Sequence, residues 1–383
     1  MLKNKIKDNK FILLFIVITI IALIIRLSLF KFVSGDYNVF LREWFDFFKE
    51  NGIRGLANYP GDYNAPYMTI LALLSYIPIN SLFLIKFVSV IFDFVLAITI
   101  VKIFNEIKPN HKKELDLLLY FICLLLPQFI LNGSCWGQCD SIYTSFVMIS
   151  ILFLLKEKYT KSFVFLGIAF AFKLQAILIF PLYIILFFSS KKFNIFNFLL
   201  IPLMNILLSM PALLIGKPFK ELILIYFNQT GTYSKNLVLN FINIYHFING
   251  NVSLFYKLGI MVTALIFLII MIYIIKNNKT WTKEKIITLA LLTVIVATFF
   301  LPGMHDRYLY IGEVLSILYY FTYKKNFLLV LIININAIIT YVCYLCGITM
   351  NSLFSFCFII YVIAILIFVK NSICLFSNKK DKT

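Results

Sequence analysis

Five short stretches of this chain hold side chains able to do polar chemistry, and each lies beside a long apolar run. Ser34-Gly35-Asp36-Tyr37 follows the first run, and Tyr59-Pro60-Gly61-Asp62-Tyr63-Asn64-Ala65-Pro66-Tyr67 comes soon after. Asn132-Gly133-Ser134-Cys135-Trp136-Gly137-Gln138-Cys139-Asp140-Ser141, Ala171-Phe172-Lys173-Leu174-Gln175 and Leu301-Pro302-Gly303-Met304-His305-Asp306-Arg307-Tyr308 complete the set. A carboxylate such as Asp36 or Asp62 can take a proton from an attacking hydroxyl. Arg307 and Lys173 are positive charges suited to a phosphate or diphosphate. Trp136 and the tyrosines, Tyr63 among them, offer ring faces against which a sugar can stack. Ordinary alternatives stay open at this level: Asp36 as solvated loop, Trp136 as an interfacial anchor, Lys173 as a side chain snorkelling to the surface, and His305 with Asp306 as a hydrogen-bonded loop pair.

The elements that must position these groups follow from composition. Of the 383 residues, 62% are hydrophobic and 14% charged, and the apolar residues come in unbroken runs. Helices immersed in lipid need about 20 such residues each. Only helices or closed barrels satisfy their backbone in hydrocarbon, and the runs lack the alternation of barrel strands. The expected fold is therefore an all-α, polytopic transmembrane helix bundle. With no internal repeat and no Pro-, Gly- or Ser-rich linker, residues 1–383 read as a single integral membrane domain. A net charge of +18 would suggest nucleic acid in a soluble protein. Here the lysines cluster in short connectors, where they act as topology determinants, and no nucleic-acid partner is expected. The run 11–30 is full length with no small-residue cleavage site after it, so it is expected to remain as a span.

Reading the connectors for Lys and Arg gives a consistent alternation. Segments 1–10, 102–114, 156–161, 191–192, 276–285, 324–325 and 370–383 hold 23 basic residues, whereas 31–65, 133–140, 216–252, 302–310 and 348–350 hold 8. The first set is expected to be cytoplasmic. The implied spans are 11–30, 81–103, 116–132, 141–155, 195–215, 253–275, 286–301, 309–323, 327–347 and 351–370. Residues 162–188 have basic flanks but are too short for two ordinary crossings. They read as two short helices in a hairpin whose tip lies near Lys173 and Gln175, tolerable where protein surrounds the break. Residues 66–79, with Pro66 and Pro78 near their ends, read as a helix dipping in from outside. The total is about twelve membrane segments with both termini inside. In the first outer loop the stretch 39–49 carries Phe40, Trp44, Phe47 and Phe48 at helical spacing and is expected to lie along the interface as an amphipathic helix.

Lysine counts alone thus gather all five polar stretches on one side. A carboxylate at a membrane boundary is costly to dehydrate unless it faces a hydrated cavity, so Asp36, Asp140 and His305-Asp306-Arg307 are expected to line one. Lys86 and Asp93, seven residues apart, share a helical face pointing into the bundle with no visible partner. Seven cysteines sit mostly in apolar runs. Only Cys135 and Cys139 share a polar loop; their spacing is a poor metal signature, and a disulfide there is permitted but not demanded.

The ordered motifs resemble those of the GT-C superfamily of glycosyltransferases, and most closely the bacterial relatives of the second GPI mannosyltransferase. In that family an Asp opens the first outer loop, followed by a Tyr-Asn-Pro-Pro-like stretch, a Trp-Gly-Gln-x-Asp-Ser motif, a Lys-x-Gln motif and a late Met-His-Glu-Arg-Tyr motif. Their counterparts here are Asp36, Asp62 to Tyr67, Trp136 to Ser141, Lys173 to Gln175 and Met304 to Tyr308. Asp306 stands where the family has Glu, and Ala65 replaces the first of the two prolines. The resemblance implies inverting transfer of a hexose, mannose by the family's name, from a polyprenyl-phosphate donor to a hydroxyl on a glycan, polymer or protein acceptor, at the extracytoplasmic face. Asp36 would be the general base. Arg307, His305 and Lys173 would hold the donor phosphate, and Asp62, Tyr63, Trp136, Gln138, Asp140, Gln175 and Asp306 would bind substrate. No cofactor is implied beyond the lipid-linked co-substrate. With no Asp-x-Asp motif on the outer side, no metal ion is expected. The rival reading is a multi-spanning transporter or lipid flippase, which would also carry midplane charges and broken helices but usually shows related halves; a scaffold without an active site is a third.

Overall fold

The computed structural model describes residues 2–233, 235–248 and 250–377, with side chains other than those of 2–8 and 230–233. The basic stretches 1–8 and 378–383 lie outside the described side chains. The first apolar run forms α1 (Leu2–Ser28). A π-helical turn (Tyr37–Leu41) then leads into α2 (Arg42–Asn51). α3 (Ala65–Leu74) starts where the Asn64 side chain accepts a hydrogen bond from the Ala65 N–H and Pro66 occupies the first turn, a position where its missing N–H costs nothing. α4 (Ser81–Ile107) begins at Asn80, which caps Leu82 N–H at 2.9 Å. α5 (Glu114–Leu125) stops at Leu126, held extended ahead of Pro127. α6 (Pro127–Ile130) and a second π-helical turn, Leu131–Trp136, continue after a bend of 53°.

Beyond this break run α7 (Asp140–Leu155), α8 (Tyr159–Phe172), α9 (Phe180–Ser190), α10 (Leu200–Ile215) and α11 (Phe219–Tyr233). α12 (Val252–Asn277), α13 (Lys283–Phe300), α14 (Tyr310–Tyr323), α15 (Phe327–Cys346) and α16 (Asn351–Phe376) complete the order. Every expected span is helical, but 116–132 is broken at Leu126 into α5 and α6. The chain breaks at Lys173, as expected, and folds back: the Phe170 ring packs tilted against Phe180, and Phe163 meets Tyr183 edge-on. The purely helical expectation is corrected in one place. Val238–Leu239 (β1) pairs in parallel with Met304–His305 (β2), joining two connectors that are far apart in sequence.

Among the described residues six helices are long and apolar enough to cross a bilayer, or seven if the bent pair 114–136 is one span. The chain is a helical, multi-pass membrane protein. Asn9–Ser28, Ile195–Ile215 and α12 present most of their apolar surface outward, whereas α7 and α14, 16 and 14 residues long, are almost wholly buried. The shortest expected spans therefore lie inside the bundle, where a helix need not reach from one lipid boundary to the other.

The amphipathic helix in the first outer loop forms, but its expected setting is corrected. Trp44, Phe45 and Phe48 are buried against Leu56, Tyr59 and Met68. Protein covers the apolar face that the pattern assigned to the interface, and of the aromatic residues singled out only Phe40 is largely exposed.

Charged connectors meet at one end of the bundle. Lys283 pairs with Glu106 at 2.6 Å, Lys108 with Glu284 at 3.1 Å, and Lys192 with Glu157 at 2.5 Å. These connectors are the ones that lysine counting placed together. Inside the bundle, Arg26 donates to Asp93 at 2.8 Å and to the Leu124 carbonyl at 2.8 Å, with both charged side chains essentially inaccessible. Lys86 Nζ donates to the carbonyls of Leu29, Phe30 and Phe32 at 3.3, 3.2 and 2.6 Å. It thus satisfies the carbonyls that follow the end of α1. Arg26→Leu strands Asp93 without its counter-charge and is expected to cost about 3–5 kcal/mol, with most of it recovered when Asp93 is also made apolar. Thermal unfolding in detergent tests this, and a double variant no more stable than Arg26→Leu contradicts it.

Candidate active site

The site begins with a turn. Ser34 Oγ donates to the Trp136 carbonyl at 2.7 Å and accepts the Tyr37 N–H at 3.2 Å, tying the start of the first outer loop to the turn 131–138. That turn fits because two of its residues are glycine. A Cβ at Gly133 would meet Asp93 Oδ2 at 3.3 Å, and Gly137 takes a φ of 79° that side chains disfavour. The result aims two donors at one carboxylate: Trp136 Nε1 reaches Asp36 Oδ2 at 2.9 Å and Gln138 Nε2 reaches the same atom at 2.5 Å. On the other oxygen, Oδ1, the Tyr344 hydroxyl donates from the end of α15.

Arg307, carried by the connector after β2, stands among three carboxylates. Its guanidinium is 3.6 Å from Asp36, 3.6 Å from Asp140 and 3.4 Å from Asp306. The Asp306 contact is a long hydrogen bond from Nη1, the other two exceed hydrogen-bond distance, and Nε makes no hydrogen bond among the described residues, so the guanidinium is only loosely held. Asp140, at the first turn of α7, is held more tightly by Lys173 Nζ at 2.5 Å and Asn132 Nδ2 at 2.8 Å.

Asp36, Asp62, Tyr63, Gln138 and the triplet 305–307 share a cavity of about 610 Å³, which Tyr344, Gly347 and Thr349 also line. The pocket expected from sequence therefore exists and joins the first loop to the late triplet. Four expected site residues do not border it. Lys173 is buried and paired with Asp140, and its ammonium does not line the cavity. Asp140 and Trp136 are fully buried and do not line it. The Trp136 ring, expected to be open to a sugar, is stacked by Tyr344 at 4.2 Å and approached by Arg307 at 4.9 Å. Gln175 lines a neighbouring pocket of about 200 Å³ with Leu178, Tyr256, Ile260 and Pro302. Met304 of β2 faces this second pocket while His305 faces the first.

The electrostatics adjust one further expectation. Burial, followed by the neighbouring Arg307 charge, pushes the His305 imidazole down to about 3, so it is neutral near pH 7 and offers hydrogen bonds rather than charge. Burial raises the Asp306 carboxyl to about 7, against the pull of Arg307. Asp62 is also raised by burial, partly offset by its own backbone, Lys173, Arg307 and a hydrogen bond from Gln229.

Tyr344 and the connector at 347–349 were not singled out by sequence reasoning, because nothing distinguishes Tyr344 from the other tyrosines in apolar runs. Cys135 and Cys139 are free thiols. Among the described residues no three His, Cys, Asp or Glu side chains are grouped to hold a metal ion. Chemically, the arrangement offers a clamped carboxylate next to a loosely held guanidinium in a pocket of substrate size. Neither models of known protein families nor the sequences of curated proteins match this chain.

Proposed function

We propose that the chain is an inverting glycosyltransferase of the GT-C type. It moves a hexose, mannose by the resemblance, from a polyprenyl-phosphate donor to a hydroxyl of a glycan, polymer or protein acceptor on the outer face of the cell membrane. The observation that carries this reading is the pairing, in one cavity, of the Asp36 carboxylate with the Arg307 guanidinium 3.6 Å away. The donor phosphate binds Arg307 and the neutral His305. Asp36 accepts the proton as the acceptor O–H bond breaks; the freed oxygen pair forms the bond to the anomeric carbon, and the departing bond's electrons leave on the lipid phosphate. Asp62, Tyr63, Gln138 and Asp306 contact the sugars. Lys173 holds Asp140, and Asp140 with Trp136 sets Arg307 in place.

The apolar pocket beside Met304 supports a donor whose first isoprene units leave the cavity toward lipid. The finer topology belongs to the same reading: about twelve membrane segments, both termini on the lysine-rich cytoplasmic side and the cavity opposite. Purified protein in lipid vesicles, given a panel of polyprenyl-phosphate hexoses, should release polyprenyl phosphate only with an acceptor hydroxyl present. Uptake of a sugar into vesicles without such release would favour a transporter instead.

Asp306 makes donor binding pH-dependent. As pH rises through about 7 its carboxyl ionises beside Arg307 and adds negative charge where the phosphate must sit. A prenyl sulfate, whose charge is constant over this range, should bind several-fold more weakly at about pH 8 than at about pH 6. Asp306→Asn should flatten that profile in a binding titration, and an unchanged slope in the variant would remove Asp306 from the site.

A further inference from the structure

The Asp36 carboxylate is held on every side but one. A carboxylate offers about four lone-pair positions, two on each oxygen. Trp136 and Gln138 fill both positions on Oδ2, at 2.9 and 2.5 Å, and Arg307 lies 3.6 Å from the same atom. A proton arriving from an acceptor must therefore be received on Oδ1. There the Tyr344 hydroxyl takes one position, leaving a single lone pair.

Tyr344 is itself fixed. Its ring stacks on Trp136 at 4.2 Å with 16° between the planes, so the tryptophan that donates to Oδ2 also sets the phenol that donates to Oδ1. The backbone at Gly35 passes close to the phenol: a Cβ there would sit 3.4 Å from the Tyr344 oxygen, in van der Waals contact. Tyr344 comes from the last turn of α15, and Gly347, which ends that helix at a φ of 66°, lines the same cavity.

We infer that Tyr344 is a positioning residue for the base, selecting the one lone pair of Asp36 Oδ1 that receives the acceptor's proton and fixing the direction from which the acceptor approaches. The inference rests on the transferase reading above. Without the phenol hydroxyl the carboxylate can turn about its last bond, and the proton-accepting lone pair no longer points at a fixed place. A misplacement of about 1 Å at a reacting group costs about 100-fold.

Tyr344→Phe keeps the ring on Trp136 and removes only the hydroxyl. It should lower kcat for sugar transfer by about 10- to 100-fold, with donor KM changed by less than about twofold and thermal stability lowered only by the loss of one hydrogen bond. Because Tyr344 acts through Asp36, the double variant Tyr344→Phe with Asp36→Asn should be no slower than Asp36→Asn alone. An unchanged kcat in Tyr344→Phe, a loss carried by KM or by stability, or a double variant slowed by the product of both factors each overturns the inference while leaving the transferase reading intact. Absence of transfer by the wild type from every donor in the panel overturns both.

Discussion

Asp36→Asn should lower the rate of sugar transfer by about 100- to 10,000-fold, the range over which a general base contributes, while donor binding persists. Asparagine keeps the shape of the side chain and an oxygen for Trp136 and Gln138 but cannot take the acceptor's proton. The variant also leaves Arg307 with two carboxylate neighbours in place of three, so a phosphate should bind at least as well as before. Single-turnover kinetics with a bound donor separate the two effects. Equal rates of polyprenyl phosphate release in variant and wild type would remove Asp36 from the chemistry and leave only its structural clamp.

Arg307→Lys is expected to be nearly as damaging, with a loss of about 100- to 1,000-fold in kcat. The guanidinium touches Asp36, Asp140 and Asp306 at once through a planar fork, and it lies 4.9 Å from the Trp136 ring. An ammonium is a point charge without that fork and cannot span the same three partners while also binding a phosphate. The loss should appear in binding of a prenyl phosphate as well as in transfer rate, because Arg307 meets the phosphate in the ground state and more strongly as charge develops on it in the transition state. Lysine supporting wild-type transfer would mean that charge alone suffices and that the fork geometry is irrelevant.

Much of this site was legible because charge is conspicuous in a chain of apolar runs. Asp36, Asp62 and the triplet 305–307 stand near the ends of such runs, and the lysine count alone assigns their connectors to a common side. Helix positions were legible for the same reason: a run of about 20 apolar residues has few alternatives. Pairing was not. Lys173 and Asp140 are 33 residues apart, and only the fold reveals that each consumes the other's charge. Arg26 hides inside the first apolar run, so Asp93 appeared partnerless although the two are 2.8 Å apart. The apolar face of α2 has the same periodicity whether lipid or protein covers it, and here protein does. Tyr344 carries no local mark; its importance comes from the ring beneath it and the carboxylate beyond it. The two-residue ladder between β1 and β2 is too short to leave a period-two pattern.

The location of a bound donor tests the account most directly, and cryo-electron microscopy of the Asp36→Asn protein with a polyprenyl-phosphate hexose would supply it. The phosphate should lie within hydrogen-bond reach of Arg307 and His305, with the anomeric carbon turned toward residue 36 and the lipid running out past Met304. A phosphate seated away from Arg307, or a donor held at the lysine-rich end of the bundle, would contradict it.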